Sequence, residues 1–130
     1  MNKSKTTPEG YSTVCPYLMV ASVEKQIEFL KEVFNAEVRK EMKEVDEEIR
    51  HGEVSIGEVV LMMGRASSIY PARKSFNYVY VENPDEVYNR AIAKGAVSVM
   101  KPVDQEYGDR SGGFTDLHGN EWWVACPLKS

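Results

Sequence analysis

Tyr17-Leu18-Met19-Val20, with the helix starter Ser22 close behind and Asn35-Ala36-Glu37-Val38 further on, is answered about sixty residues later by Tyr78-Val79-Tyr80-Val81, Asn83 and Gly95-Ala96-Val97-Ser98. The echo continues downstream, where Gly57-Glu58-Val59-Val60-Leu61 has a counterpart in Gly119-Asn120-Glu121-Trp122-Trp123. A chain written twice folds as two copies of one unit, and ligand sites form where such halves meet.

Around the first copy, residues 13–21 are apolar or polarisable on both faces, which suits a strand buried on two sides. Ser22 caps a helix whose apolar residues Val23, Ile27, Leu30, Val33 and Phe34 share one stripe. Asn35 tolerates the left-handed conformation that ends it. Strands are expected over 37–45, 49–56 and 59–64, with turns at Asp46-Glu47-Glu48 and Gly57-Glu58. The second copy repeats the plan. A strand over 75–81 leads to a helix opened by Asn83-Pro84-Asp85 and stopped by Gly95. Strands follow at 97–100, around 112–115 and at 121–126, with a loop from Pro102 to Asp109. The fold class is α+β, in one domain: a flexible arm over 1–11, one βαβββ module over 12–66 and another over 75–128.

At 130 residues, with 42% hydrophobic side chains, the chain is long enough to bury a core without disulfide or metal staples. A net charge of -4 gives no field to draw nucleic acid or an anionic membrane. No apolar run approaches the roughly 20 residues of a membrane span, and Met1-Asn2-Lys3-Ser4-Lys5 lacks the apolar segment of a signal peptide. The expected location is cytoplasmic. Cys15 and Cys126 fall on opposite faces of the expected strands, so both read as buried thiols rather than a disulfide.

Six stretches carry a family likeness: Cys15 to Val20, Phe29 to Val38, Ile49 to Glu53, Ala91 to Ala96, Tyr107 to Arg110, and Asp116 to Val124. Through them the chain resembles the vicinal oxygen chelate superfamily, which includes glyoxalase I, extradiol dioxygenases and the bleomycin and fosfomycin resistance proteins. More closely, it resembles the small bacterial glyoxalase-like subgroup sometimes labelled demethylubiquinone methyltransferase-like. The resemblance implies that each module curls into a half-barrel cup, that the cups form one cavity, and that the protein is a homodimer. Metal-dependent members place His and Glu ligands on the first and fourth strand of each module. The matching positions here are Cys15, Leu61, Phe76 and Trp123, the third-strand turn of the first module being aligned on Gly57 and that of the second on Gly119. Leu, Phe and Trp cannot ligate a divalent metal, and a lone thiol does not replace the set. No metal and no cofactor are expected.

Residues two apart on a strand share a face, which turns those anchors into a cavity lining. The expected cup holds Cys15, Tyr17 and Met19, then Val59, Leu61 and Met63, then Phe76, Tyr78 and Tyr80, then Glu121, Trp123 and Ala125. His51, Glu53 and Ser55 face it from the third strand. Such a lining suits a planar or apolar organic molecule held by stacking; equally, the side chains can fill the barrel themselves. His51 and Glu53, at i and i+2, either share a non-standard metal, or form an acid–base pair, with Glu121 as a third group, or are an ordinary strand histidine and its acidic neighbour. Arg110 either reaches the cup mouth to hold an anion or, with Asp109, pins the long loop. His118 reads as a surface turn residue.

The function expected from these residues is that of a small-molecule binding protein sequestering or sensing a small aromatic or apolar compound. The alternative is a glyoxalase-like lyase or isomerase built around His51, Glu53 and Glu121. Neither nucleic acid nor membrane is an expected partner.

Overall fold

Residues 6–44 and 46–129 are described by the computed structural model; Val45, the expected end of the second strand, and residues 1–5 of the expected arm lie outside them. The elements run β1 (Tyr17–Val20), α1 (Val23–Phe34), β2 (Glu37–Lys43), β3 (Ile49–Ile56), β4 (Val59–Arg65), β5 (Phe76–Tyr80), α2 (Pro84–Ala93), β6 (Val97–Asp104), β7 (Asp109–Thr115) and β8 (Glu121–Pro127). They make two four-stranded sheets, β1-β4-β3-β2 and β5-β8-β7-β6. In each, the strand before the helix pairs in parallel with the closing strand, while the remaining pairs are antiparallel.

The helices begin and end where local chemistry directs. Ser22 Oγ accepts the Lys25 N–H at 3.2 Å, and Asn83 Oδ1 accepts that of Glu86 at 3.2 Å; such caps are each worth about 0.5–2 kcal/mol. Asn35, at φ 55, closes α1 in the left-handed region. Gly95, at φ 100, turns the chain after α2. The strands differ from expectation at their ends. β1 is only four residues long, and β6 runs on through Pro102 to Asp104 before the chain turns back at Gly108.

Both helices lie in one core with one face of each sheet. Val23, Ile27, Leu30 and Val33 of α1 meet Leu18, Val20, Val54, Leu61 and Met63 of the first sheet and Phe114, Trp122 and Val124 of the second. Each such side chain contributes about 1.5–3 kcal/mol on burial. Aromatic contacts join the modules: Phe34 to Trp122 at 5.2 Å and Phe29 to Phe114 at 6.3 Å between ring centroids. Helix α1 approaches β3 so closely that a Cβ on Gly52 would stand 2.9 Å from both Val23 and Ile27.

A buried polar joint reinforces this packing. Asp116 Oδ2 accepts from Gln26 Nε2 at 2.7 Å and Trp122 Nε1 at 2.8 Å, while Oδ1 accepts the N–H groups of His118 and Asn120, each at 2.9 Å. His118 is not the surface residue expected of its turn. Its Nδ1–H donates to Gln26 Oε1 at 2.7 Å and its Nε2 accepts the Ser22 N–H at 3.2 Å, tying the second module's turn to the start of α1. That arrangement requires a neutral ring. Burial holds the His118 pKa below its ordinary value, with Asp116 opposing the shift and Lys25 adding to it.

Unfolded His118 takes its proton near pH 6.5, above the folded state. The associated stability is therefore complete above about pH 6.5 and lost as pH falls through the lowered folded-state pKa. His118→Gln is expected to flatten this decline, measured as the difference in urea midpoint between about pH 7.5 and about pH 5.5; an unchanged slope would assign the acid sensitivity to other groups.

Candidate functional site

Each sheet turns one face to the helices and leaves the other open. On the second sheet the parallel register sets Phe76 beside Glu121, Tyr78 beside Trp123 and Tyr80 beside Ala125. The antiparallel register continues the rows to Thr115, Gly113 and Ser111, and then to Val97, Met100 and Val103. The open face is thus aromatic along β5 and apolar along β6. Phe76 is 68% exposed, Tyr80 62% and Tyr107 62%.

A carboxylate orders two of the tyrosines. Nearly buried Asp109 accepts from Tyr78 at 2.8 Å and Tyr80 at 3.0 Å on one oxygen, while Tyr107 bonds Ser111 at 2.9 Å and Tyr78 at 3.2 Å. Burial, then the hydrogen bonds with Tyr107 and Asp109, push the Tyr78 hydroxyl well above the usual phenol range. The bond to Asp109, with burial adding to it, also raises the Tyr80 hydroxyl. Both stay protonated donors, so the rings are held with their faces presented. Trp123 Nε1 donates to Glu121 Oε2 at 2.7 Å. Gly113 makes room for that indole: a Cβ there would stand 2.6 Å from Trp123.

The first sheet's open face is more polar. Tyr17 and Met19 of β1, Val60, Met62 and Gly64 of β4, and His51, Glu53 and Ser55 of β3 share it by register. Glu53 Oε2 lies 2.8 Å from His51 Nε2, and His51 Nδ1 lies 3.2 Å from the Tyr17 hydroxyl. With Nε2–H donating to the carboxylate, Nδ1 accepts from Tyr17. Glu53 Oε1 accepts from Tyr11 at 2.5 Å. Burial alone would raise the Glu53 pKa, but the bonds from Tyr11 and His51 and the charge of Lys40 outweigh it, leaving it lowered. Beside Glu53 and Met62, an open depression of about 610 Å³ is lined by Thr6, Pro8, Tyr11 and Thr13, with Cys15 and Lys40. That volume is ordinary for a small-molecule site.

Of the expected lining, Tyr17, Met19, His51, Glu53 and Ser55 share one open face and Phe76, Tyr78, Tyr80, Glu121, Trp123 and Ala125 the other. Leu61 and Met63 do not: both belong to the core beneath the helices, as does Val59 at its margin. Met62 takes the place assigned to Leu61, because Tyr17 pairs with Met62 as Tyr78 pairs with Trp123. Leu61 instead reaches a groove of about 560 Å³ between the β3–β4 hairpin and β5, together with Phe76, Tyr78 and Tyr80. Arg110 does not reach a cup. Its guanidinium clasps Asp85 on α2 at 2.7 and 2.8 Å and Asp104 at 3.1 Å, which raises its pKa and holds that of Asp85 down. Glu121 lies in the other sheet from His51 and Glu53, so the three do not converge within one chain. Tyr11 was expected in a frayed arm and is seated on Glu53.

Among the described residues the open faces lie on two separate four-stranded sheets. The positions where metal-dependent relatives carry ligands are Cys15, Met62, Phe76 and Trp123, a donor set that does not fit a divalent ion. Among the described residues no three His, Cys, Asp or Glu side chains gather as a metal site would require.

Two βαβββ modules sharing a helical core, each with an open sheet face, define the tandem-module glyoxalase-like class. The model of the Glyoxalase/Bleomycin resistance protein/Dioxygenase superfamily matches residues 12–124, and the chain belongs to that superfamily. Among solved structures the fold is similar to TioX from Micromonospora sp. ML1, at 24% identity and TM-score 0.76 over 90% of this chain and 99% of that one. It is also similar to the fosfomycin resistance protein FosX from Listeria monocytogenes, solved with Mn(II) and sulfate, at 18% identity and TM-score 0.70 over 90% of each chain. A third is the putative 3-demethylubiquinone-9 3-methyltransferase, PhnB protein, from Bacillus cereus, at 15% identity and TM-score 0.69 over 88% and 99%. No curated protein sequence matches the chain. No helix among the described residues is long and apolar enough to cross a membrane.

Proposed function

We propose that this protein binds a small planar aromatic or apolar compound on its open sheet faces, without a metal, as a sequestering or sensing factor. The observation that carries the reading is the second module's face. Three large rings stand mostly exposed there, yet a buried carboxylate and a hydrogen-bonded indole hold their neighbours in fixed orientation. A self-filled barrel would bury those rings. Fixed, exposed aromatic faces favour stacking with a planar guest.

The complementary character of the two faces supports a homodimer. The second module offers apolar rings and the Val97, Met100 and Val103 edge, and the first offers Tyr17 and His51, with Glu53 beneath Tyr11. Setting the first-module face of one copy against the second-module face of another would enclose a guest between stacking and hydrogen-bonding walls and cover the exposed apolar surface. The likeness in fold to a fosfomycin resistance protein is consistent with a protective role.

Light scattering is expected to give about twice the 14.7 kDa chain mass. A thermal-shift screen of two- and three-ring aromatics is expected to raise the melting temperature, since a ligand that binds only the folded state stabilises it. A monomer whose melting temperature none of the panel moves would overturn the proposal.

A further inference from the structure

The seat of Tyr11 is a phenol site, and we propose that the first module takes a hydroxyaromatic guest there, the N-terminal strap withdrawing as the guest's O–H replaces that of Tyr11 on Glu53. This rests on the proposed aromatic-binding role and names the guest's polar end. Glu53 is 4% exposed, and its two oxygens are engaged differently: Oε2 by His51 from the same strand, Oε1 by a side chain 42 residues distant. The nearby partner is part of the sheet, whereas the distant one comes from a segment laid across it.

That segment is held to the sheet through side chains, Tyr11 bonding Glu53 and lying under Arg39. Among the described residues the backbone N–H of Tyr11 turns back to Pro8 O at 3.1 Å, and the first main-chain bond from this end of the chain to a strand is Met62 N–H to Pro16 O at 2.9 Å. Thr7 and Ser12 bond within the same stretch, to Thr13 and Cys15. Beside it lies the roughly 610 Å³ depression, already large enough for two fused rings.

The seat selects for an aromatic hydroxyl on three counts. Its acceptor is a carboxylate oxygen with no fixed donor of the sheet upon it. Its ring position is covered by the Arg39 guanidinium, 5.0 Å from the Tyr11 ring centroid, which favours a π face. Third, the carboxylate already accepts a neutral phenolic O–H, that of Tyr11, with the positive charges of Arg39 and Lys40 beside it. The hydrogen bond to Glu53 already raises the Tyr11 hydroxyl above its ordinary pKa, as it would any phenol taking that place.

The test uses the full chain with 2-naphthol and 2-methoxynaphthalene, which differ in the O–H alone, and reads the imidazole resonances of His51 by NMR. Wild-type protein is expected to bind 2-naphthol saturably with a shift of the His51 signals and of the Gly10 and Tyr11 amides. Tyr11→Ala is expected to bind it at least tenfold more tightly, since no strap has to leave. Tyr11→Phe keeps the ring under Arg39 and frees only the carboxylate, and is expected to fall between. Glu53→Gln is expected to remove the preference for 2-naphthol. Equal affinity for the two probes in wild type, or an affinity indifferent to both Tyr11 variants, overturns the proposal. If binding of both probes is then lost on Trp123→Ala, the aromatic-binding role stands without the phenol seat; if neither probe binds wild type or variant, the phenol seat falls and the aromatic-binding role is decided separately by the thermal-shift panel.

Discussion

Asp116→Ala is expected to cost the fold about 3–5 kcal/mol, because a buried donor left without its acceptor costs about 1–3 kcal/mol and several lose theirs at once. The size follows from how many donors share that carboxylate. Gln26 Nε2, Trp122 Nε1 and the backbone N–H groups of His118 and Asn120 all end on it, and Asn120 and Gln26 are fully buried. Water cannot readily replace the lost acceptor, so several donors would be left unpaired at once. The loss approaches the whole stability of an ordinary domain, about 5–15 kcal/mol. Asp116→Asn keeps the volume but turns an amide N–H₂ toward some of the donors, so an intermediate loss is expected. Urea unfolding followed by Trp fluorescence measures both variants. A loss under about 1 kcal/mol for the alanine variant would show that the shared core and the remaining cross-module bonds join the modules without the carboxylate.

The prediction also locates what the sequence could not disclose. Gln26 lies on the stripe of Val23, Ile27 and Leu30, where a polar residue needs a buried partner, but nothing in the chain points to Asp116, 90 residues away. The local features were legible because each has a local cause: Ser22 and Asn83 as caps, Asn35 as a left-handed stop, alternation along β3, β5 and β8. The β4 phase was not. Matching Gly57 with Gly119 assumes equal turns, yet β3 and β4 close at Ile56–Val59 with two intervening residues, whereas β7 and β8 close at Thr115–Glu121 with five. Because side chains alternate, that mismatch moved Leu61 and Met63 to the wrong face. Only the parallel pairing of Tyr17 with Met62 and Tyr78 with Trp123 restores the equivalence.

The position of the arm was hidden for a different reason. Pro8 and Gly10 in a polar stretch read as a frayed end, and one Tyr carries no signal of the carboxylate it will meet. Arg110 shows the converse. Pinning and anion capture use the same bidentate geometry, so residue type could not separate them; the strand face did, turning Arg110 toward Asp85 and leaving Asp109 for the tyrosines. The fold is thus readable from periodicity and caps, while the open faces depend on register and on contacts across the chain.

Trp123→Ala is expected to weaken binding of the most stabilising aromatic by on the order of tenfold, or about 1.4 kcal/mol, the scale of one lost ring contact plus its buried area. The residue suits the test because its indole lies on the open face beside Tyr78, while its neighbour Trp122 carries the core. The variant should therefore unfold near the wild-type midpoint, and a change in affinity can be read as a change in the site. Gly113→Ala reaches the same indole from the adjacent strand: with a Cβ 2.6 Å from the ring, Trp123 has to leave its place beside Glu121. Two substitutions on different strands then converge on one loss. Isothermal titration with the best compound of the thermal-shift panel measures both. Affinity unchanged in the pair would place the guest in the groove beside Leu61 rather than on the face, because that groove shares Phe76, Tyr78 and Tyr80 with the face but is not lined by Trp123.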